Sequence, residues 1–233
     1  MVTPDVSSTL TSVVSALAAI GGLGVAASGL VDGTKAFWGG ISNVGFGRIK
    51  KALQPFESAL KRADFDWTDT IRASWINGAP KDDQKAAAKS LIRLGLSSSN
   101  AAELAKAGNV DVAALTAVLK AIETGATLTP EQINLLGRFN GFIDAAMDGG
   151  FERADQEYRN AAKLCSGIAA VGLAVWGGAI LNAPKMDFWT YISHSPDFGK
   201  ALVIGIIAVP LAPVVKDLTS SLQAAVTAMK MVK

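Results

Sequence analysis

Three stretches without a single charge constrain this chain more than any other feature. Between Asp5 and Asp32 lie 26 uncharged residues, between Lys163 and Lys185 lie 21, and between Lys200 and Lys216 lie 15. Each residue of a helix rises about 1.5 Å, so roughly 20 apolar residues cross a hydrocarbon core of about 30 Å. The first two tracts meet that length. The third reaches about 22 Å and needs Lys200 and Lys216 to extend it by snorkelling to the two interfaces. Only 18% of the chain is charged, against about a quarter in ordinary soluble domains, and nearly all of that charge lies between the first two tracts. The expected fold class is therefore an all-α integral membrane protein with about three transmembrane helices and a small cytoplasmic helical domain.

The first tract, about Leu10 to Val31, carries Ala18, Gly22 and Ala26 at four-residue spacing, with Gly21, Gly24 and Ser28 beside them. In lipid, small side chains let helix backbones approach closely, and that packing replaces the missing hydrophobic drive. A second ladder, Ser166, Ala170, Ala174 and Gly178, runs through the middle tract. Two readings stay open for these faces: a seam between copies of the chain, or packing among the chain's own spans. The N-terminal tract lacks the positive n-region of a signal peptide and reads as a retained anchor.

Four regions follow. Residues 1–38 form an N-terminal transmembrane helix, ending near the interfacial aromatics Phe37 and Trp38. Residues 39–62 form a basic amphipathic helix, with Ile49, Leu53, Phe56 and Leu60 on one face and Arg48, Lys50 and Lys51 on others. That pattern suits an anionic headgroup layer or, equally, packing on a soluble domain. Residues 63–150 form the helical domain. Its punctuation is Pro80 before a helix stopped by Gly95, the Ser97–Asn100 caps, Gly108, Gly125, and the capping-box sequence Thr129-Pro-Glu-Gln132. Residues 151–233 hold a charged helix from Phe151 running into the second span, a two-span hairpin and a C-terminal amphipathic helix along Leu218, Leu222, Val226 and Met229. Gly149-Gly150 is a candidate break ahead of it. Pro210 and Pro213 leave backbone carbonyls inside the third span that other groups must satisfy.

Lys35 to Lys163 holds 17 of the 22 Lys and Arg residues. Arg48, Lys50 and Lys51 lie close enough to the first span for the positive-inside bias to act. This places the helical domain in the cytoplasm, and the loop of Trp189 and Tyr191 on the far side as a second aromatic belt. The expected partners are the lipid bilayer and further copies of the chain or other membrane-protein subunits.

No reaction chemistry is legible. His194, between Ser193 and Ser195, has neighbours in sequence but no triad pattern. No His, Cys, Asp and Glu cluster has metal-ligand spacing, no glycine run has the phosphate-loop ending, and no cofactor is implied. Asp64, Asp66 and Asp69 read as a helix start. Cys165 reads as a small core residue, with palmitoylation the alternative. A net charge of +2 without a basic stripe excludes nucleic acid. Uncharged span interiors disfavour a proton relay or charged-substrate carrier. The expected function is a non-enzymatic, self-associating membrane scaffold, anchor or structural subunit. The alternative is an oligomeric channel or pore lined by the N-terminal helix, with Thr11, Ser12 and Ser15 as lining hydroxyls.

Three short stretches resemble a loose group of uncharacterised bacterial membrane proteins: Ala27-Ser-Gly-Leu-Val-Asp32, Phe151-Glu-Arg-Ala-Asp-Gln-Glu-Tyr-Arg-Asn160 and Ala212-Pro-Val-Val-Lys-Asp-Leu218. These proteins share one N-terminal span, a cytoplasmic helical region and a C-terminal two-span hairpin. The resemblance implies that topology and a bacterial inner membrane, and carries no activity.

Overall fold

The computed structural model describes the backbone of residues 6–183 and 185–231, with side chains over 11–183, 185–215, 217 and 221. Every regular element among the described residues is helical. In order these are α1 (Val6–Gly33), α2 (Asn43–Leu53), α3 (Glu57–Ala63), α4 (Trp67–Ile76), α5 (Lys81–Leu94), α6 (Ala101–Gly108), α7 (Val112–Thr124), α8 (Pro130–Asn182), α9 (Phe188–His194) and α10 (Pro196–Met231). Short 3-10 turns link several of them. The chain forms two compact units, residues 42–159 and residues 1–41 with 160–233, and α8 contributes to both.

The first unit is a helical domain with its own core. Ile49, Leu53, Phe56 and Leu60, the apolar stripe of the basic helix, are all fully buried there with Ile92, Leu104, Leu115, Phe139, Ile143 and Phe151. Most caps follow the sequence punctuation, and Asp111, which the sequence pattern places inside the helix, is instead the cap of α7. Ser97 and Asn100 satisfy each other's backbone in a capping box. Asp111 accepts from the Ala114 N–H at 2.7 Å to open α7, and Gly125, at φ 69°, closes it. Thr129 and Gln132 exchange the reciprocal bonds that start α8.

Lys81, Lys85 and Lys89 of α5 pair with Glu152, Asp148 and Asp144 of α8 at 2.8, 2.8 and 2.6 Å. Each pair joins a half-buried lysine to a carboxylate of α8 and adds modest stability. Together the four-residue steps on both helices fix an antiparallel register.

Gly149-Gly150 does not break α8. Phe151 and Ala154 are buried on its next turn, and a Cβ on Gly150 would lie 2.4 Å from the Ala52 Cβ of α2. Gly150 permits close helix contact instead of ending the helix, while a Cβ on Gly149 would meet nothing within 4 Å. Packing on this face outweighs the propensity cost of about 1 kcal/mol for each glycine.

The second unit contains three helices long and apolar enough to cross a membrane. Their apolar stretches are Thr11–Ala36, part of Pro130–Asn182, and Pro196–Val215. Among the described residues the third covers 20, since α10 begins at Pro196, ahead of the charge-free tract, and runs unbroken through Pro210 and Pro213. Alanines Ala27, Ala170 and Ala208 meet at the centre of the unit, one from each long helix. The C-terminal stripe of Leu218, Leu222, Val226 and Met229 lies outside the described side chains.

Candidate functional site

The surfaces of the three apolar helices are the candidate site, since they are what the second unit presents to its surroundings. Only 17%, 17% and 22% of the three apolar windows are buried inside the chain. Val25, Leu164, Ile168, Trp176, Ile180, Val203 and Ile206 are all more than half exposed. A soluble monomer rarely shows contiguous apolar patches beyond a few hundred Å². This surface therefore fits hydrocarbon or other apolar helices.

Close approach of α1 to α10 uses one face of α1. Gly21, Gly24, Ala27 and Val31 are buried along it. A Cβ on Gly24 would stand 2.3 Å from the Ala208 carbonyl oxygen, and one on Gly21 would stand 2.5 Å from a Val215 methyl. On α10, Gly205 does the same against α8: its Cβ would lie 2.5 Å from the Val171 Cα. The sequence pattern placed Gly21 and Gly24 only beside the four-residue ladder and did not mark them as the packed face. The signal was present as three-residue steps, Gly21, Gly24 and Ala27.

Ala18, Gly22 and Ala26 lie on the other side of α1, exposed, and a Cβ on Gly22 would meet nothing within 4 Å. The second ladder divides along α8. Ser166 and Ala170 are buried, whereas Ala174 and Gly178 are half-buried. Gly178 makes room for Tyr191: a Cβ there would be 2.2 Å from the Tyr191 hydroxyl. Asn182 donates to the Gly178 carbonyl at 2.9 Å and tightens that last turn.

The interfacial residues fare differently. Trp38 is 93% exposed and Trp189 75% exposed, while Tyr191 is fully buried in the hairpin, edge-on to Phe198 with ring centroids 6.1 Å apart. Trp38 holds φ 57°, with Gly39 and Gly40 also at positive φ, and this turn ends the helical run after α1. Arg48 pairs with Glu157 at 2.5 Å, which holds the Glu157 carboxyl below its ordinary range. Lys50 and Lys51 are exposed.

No catalytic geometry forms around His194. Its Nδ1 lies 2.6 Å from the Ser193 hydroxyl, but the Asp197 carboxylate pairs with Lys200 at 2.8 Å. Ser195 instead accepts from the Asp197 N–H at 3.2 Å. Asp64, just ahead of α4, accepts from the Asp66 N–H and the Thr70 hydroxyl at 2.9 and 2.7 Å. Among the described residues no group of three His, Cys, Asp or Glu could hold a metal ion, and Cys165 is a half-buried free thiol.

The fold and these surfaces define an all-helical chain with three helices able to cross a membrane. No family model matches it, and neither a curated protein nor a solved structure is detectably similar.

Proposed function

We propose that the chain is a non-enzymatic, self-associating scaffold, anchor or structural subunit of a membrane assembly. Its three spans lie in a bacterial inner membrane and its helical domain lies in the cytoplasm. One observation carries the reading. Helix α1 has two small-residue faces, and among the described residues the chain covers only one. Gly21, Gly24 and Ala27 pack within the chain, whereas Ala18, Gly22 and Ala26 remain exposed. A glycine in a lipid-facing position gains nothing from lipid, but it does allow a neighbouring backbone to approach closely. The charge distribution supports the orientation, since 17 of 22 basic residues lie between Lys35 and Lys163.

Light scattering of the full chain in detergent tests this. The wild type should have a protein mass of more than one chain. Gly22→Leu with Ala26→Leu should reduce it to one chain, with helicity unchanged because both positions are open. A wild-type mass of one chain overturns the proposal.

Exposed hydroxyls favour a second reading. Thr11, Ser12 and Ser15 all face outward from α1, as the wall of an oligomeric pore would need. Planar-bilayer recordings decide it: absence of conductance from reconstituted oligomer excludes the pore.

A further inference from the structure

Helices α8 and α10 touch closely where Gly205 meets Val171. Beside that contact a groove of about 820 Å³ opens between them, bordered at its deep end by Val171 and Ile206 and at its mouth by Lys163 and Pro213. From Val171 to Lys163 is eight residues, or about 12 Å of helix. Half of a hydrocarbon core of about 30 Å is about 15 Å, so the groove is roughly one leaflet deep.

Three features give the groove a chemical preference. Leu164, Gly167 and Ile168 make its α8 wall apolar. Lys163, the last charge before the apolar tract, stands at the mouth, exposed and with no ion-pair partner among the described residues. On the α10 wall, Pro210 and Pro213 have no N–H to give to the carbonyls of Ile206 and Val209, and both of those residues line the groove. A chain of methylenes suits the wall, an ester or hydroxyl region lies between, and an anionic head suits the ammonium.

We infer that this groove is a site for one anionic glycerophospholipid, its acyl chain between α8 and α10 and its phosphate on Lys163. The inference rests on the membrane reading above. It adds that one lipid is held by charge and shape, beyond the general solvation that any span receives. A lysine near an anionic surface contributes about 1 kcal/mol, so the expected preference for an anionic over a zwitterionic lipid is about fivefold.

The test uses the full chain, delipidated in detergent, with native mass spectrometry of retained phosphatidylglycerol or phosphatidylcholine of identical chains. The wild type should retain phosphatidylglycerol about fivefold more tightly. Lys163→Gln should abolish that preference. Gly167→Leu should reduce retention of both lipids, because its Cβ has nothing within 4 Å and the side chain would fill the groove. Gly172→Leu, equally open but outside the groove, should change neither. Equal retention of the two lipids by the wild type, an unchanged preference in Lys163→Gln, or identical behaviour of the two leucine variants overturns the site. Lys163 is exposed and has no ion-pair partner among the described residues, so its variant should fold and stands alone if Gly167→Leu does not accumulate. A chain that stays dispersed without detergent would instead refute the membrane reading itself, which separates the two failures.

Discussion

Gly24→Ala isolates the contact between α1 and α10. The added Cβ would lie 2.3 Å from the Ala208 carbonyl oxygen, 2.8 Å from its carbon and 3.0 Å from the Ala212 Cβ. Ordinary contact begins near 3.4 Å, so the helices must separate by about 1 Å. The nearest atom is backbone, and no side-chain rotation relieves the clash. Overpacking of this kind costs about 1–3 kcal/mol. Against it stands the helix propensity gained by replacing glycine, about 1 kcal/mol. Gly29→Ala supplies the reference, since Gly29 is exposed in the same helix and its Cβ would meet nothing within 4 Å. Propensity cancels between the two variants and leaves the clash alone, about 2 kcal/mol. Equilibrium unfolding in mixed micelles, followed by far-UV circular dichroism, measures the difference. Equal midpoints for Gly24→Ala and Gly29→Ala would refute the close packing of α1 on α10.

Two further predictions concern single groups. The Tyr191 hydroxyl is buried without a hydrogen-bond partner among the described residues, and burial raises its pKa above the usual phenol value. Tyr191→Phe should therefore hold or raise stability by up to about 1 kcal/mol, while Tyr191→Ala should cost about 3–5 kcal/mol through the lost ring. Thermal unfolding in detergent distinguishes them, and equal losses in both variants would show that the hydroxyl does have a partner. Glu123 accepts from the Ser97 hydroxyl at 2.7 Å, and from the Ser98 hydroxyl at 2.7 Å and N–H at 2.9 Å. Those bonds, the Ser97 hydroxyl foremost, lower its pKa from an ordinary 4.5 to about 2. A carboxyl depressed on folding stabilises fully above its unfolded pKa and loses that contribution as pH falls through the folded one. Stability of the helical domain should thus fall between pH 4.5 and about 2, and Glu123→Gln should flatten that part of the profile; a profile unchanged by the substitution contradicts the assignment.

Much of the fold is legible in the residues because local chemistry fixes it. Pro80, Gly95, Gly125 and the Thr129–Gln132 pair sit at or beside helix ends, where unpaired backbone groups need a cap or a left-handed residue. The apolar tracts declare themselves by composition, since a run without charge suits an apolar medium whatever lies beside it. Gly149-Gly150 misled, because a glycine pair reads as a break until a partner helix is known to press on it.

The sequence by itself determined most of the helices, many of their ends and the three apolar tracts, all of which depend on neighbours along the chain. Phe188–His194 reads as loop in the sequence, where Asp187 in fact caps a short helix, α9. Only the tertiary structure decided which side of α1 is occupied. It buried Gly21, Gly24 and Ala27 and left Ala18, Gly22 and Ala26 open, though both sets are small and apolar. It likewise buried Tyr191 beside an exposed Trp189, and directed the apolar stripe from Ile49 to Leu60 into the domain core. The physical reason is that helical periodicity defines faces but not partners. Which face is covered depends on the shape of residues far away in the chain, here the backbone at Ala208 and the gap left by Gly178.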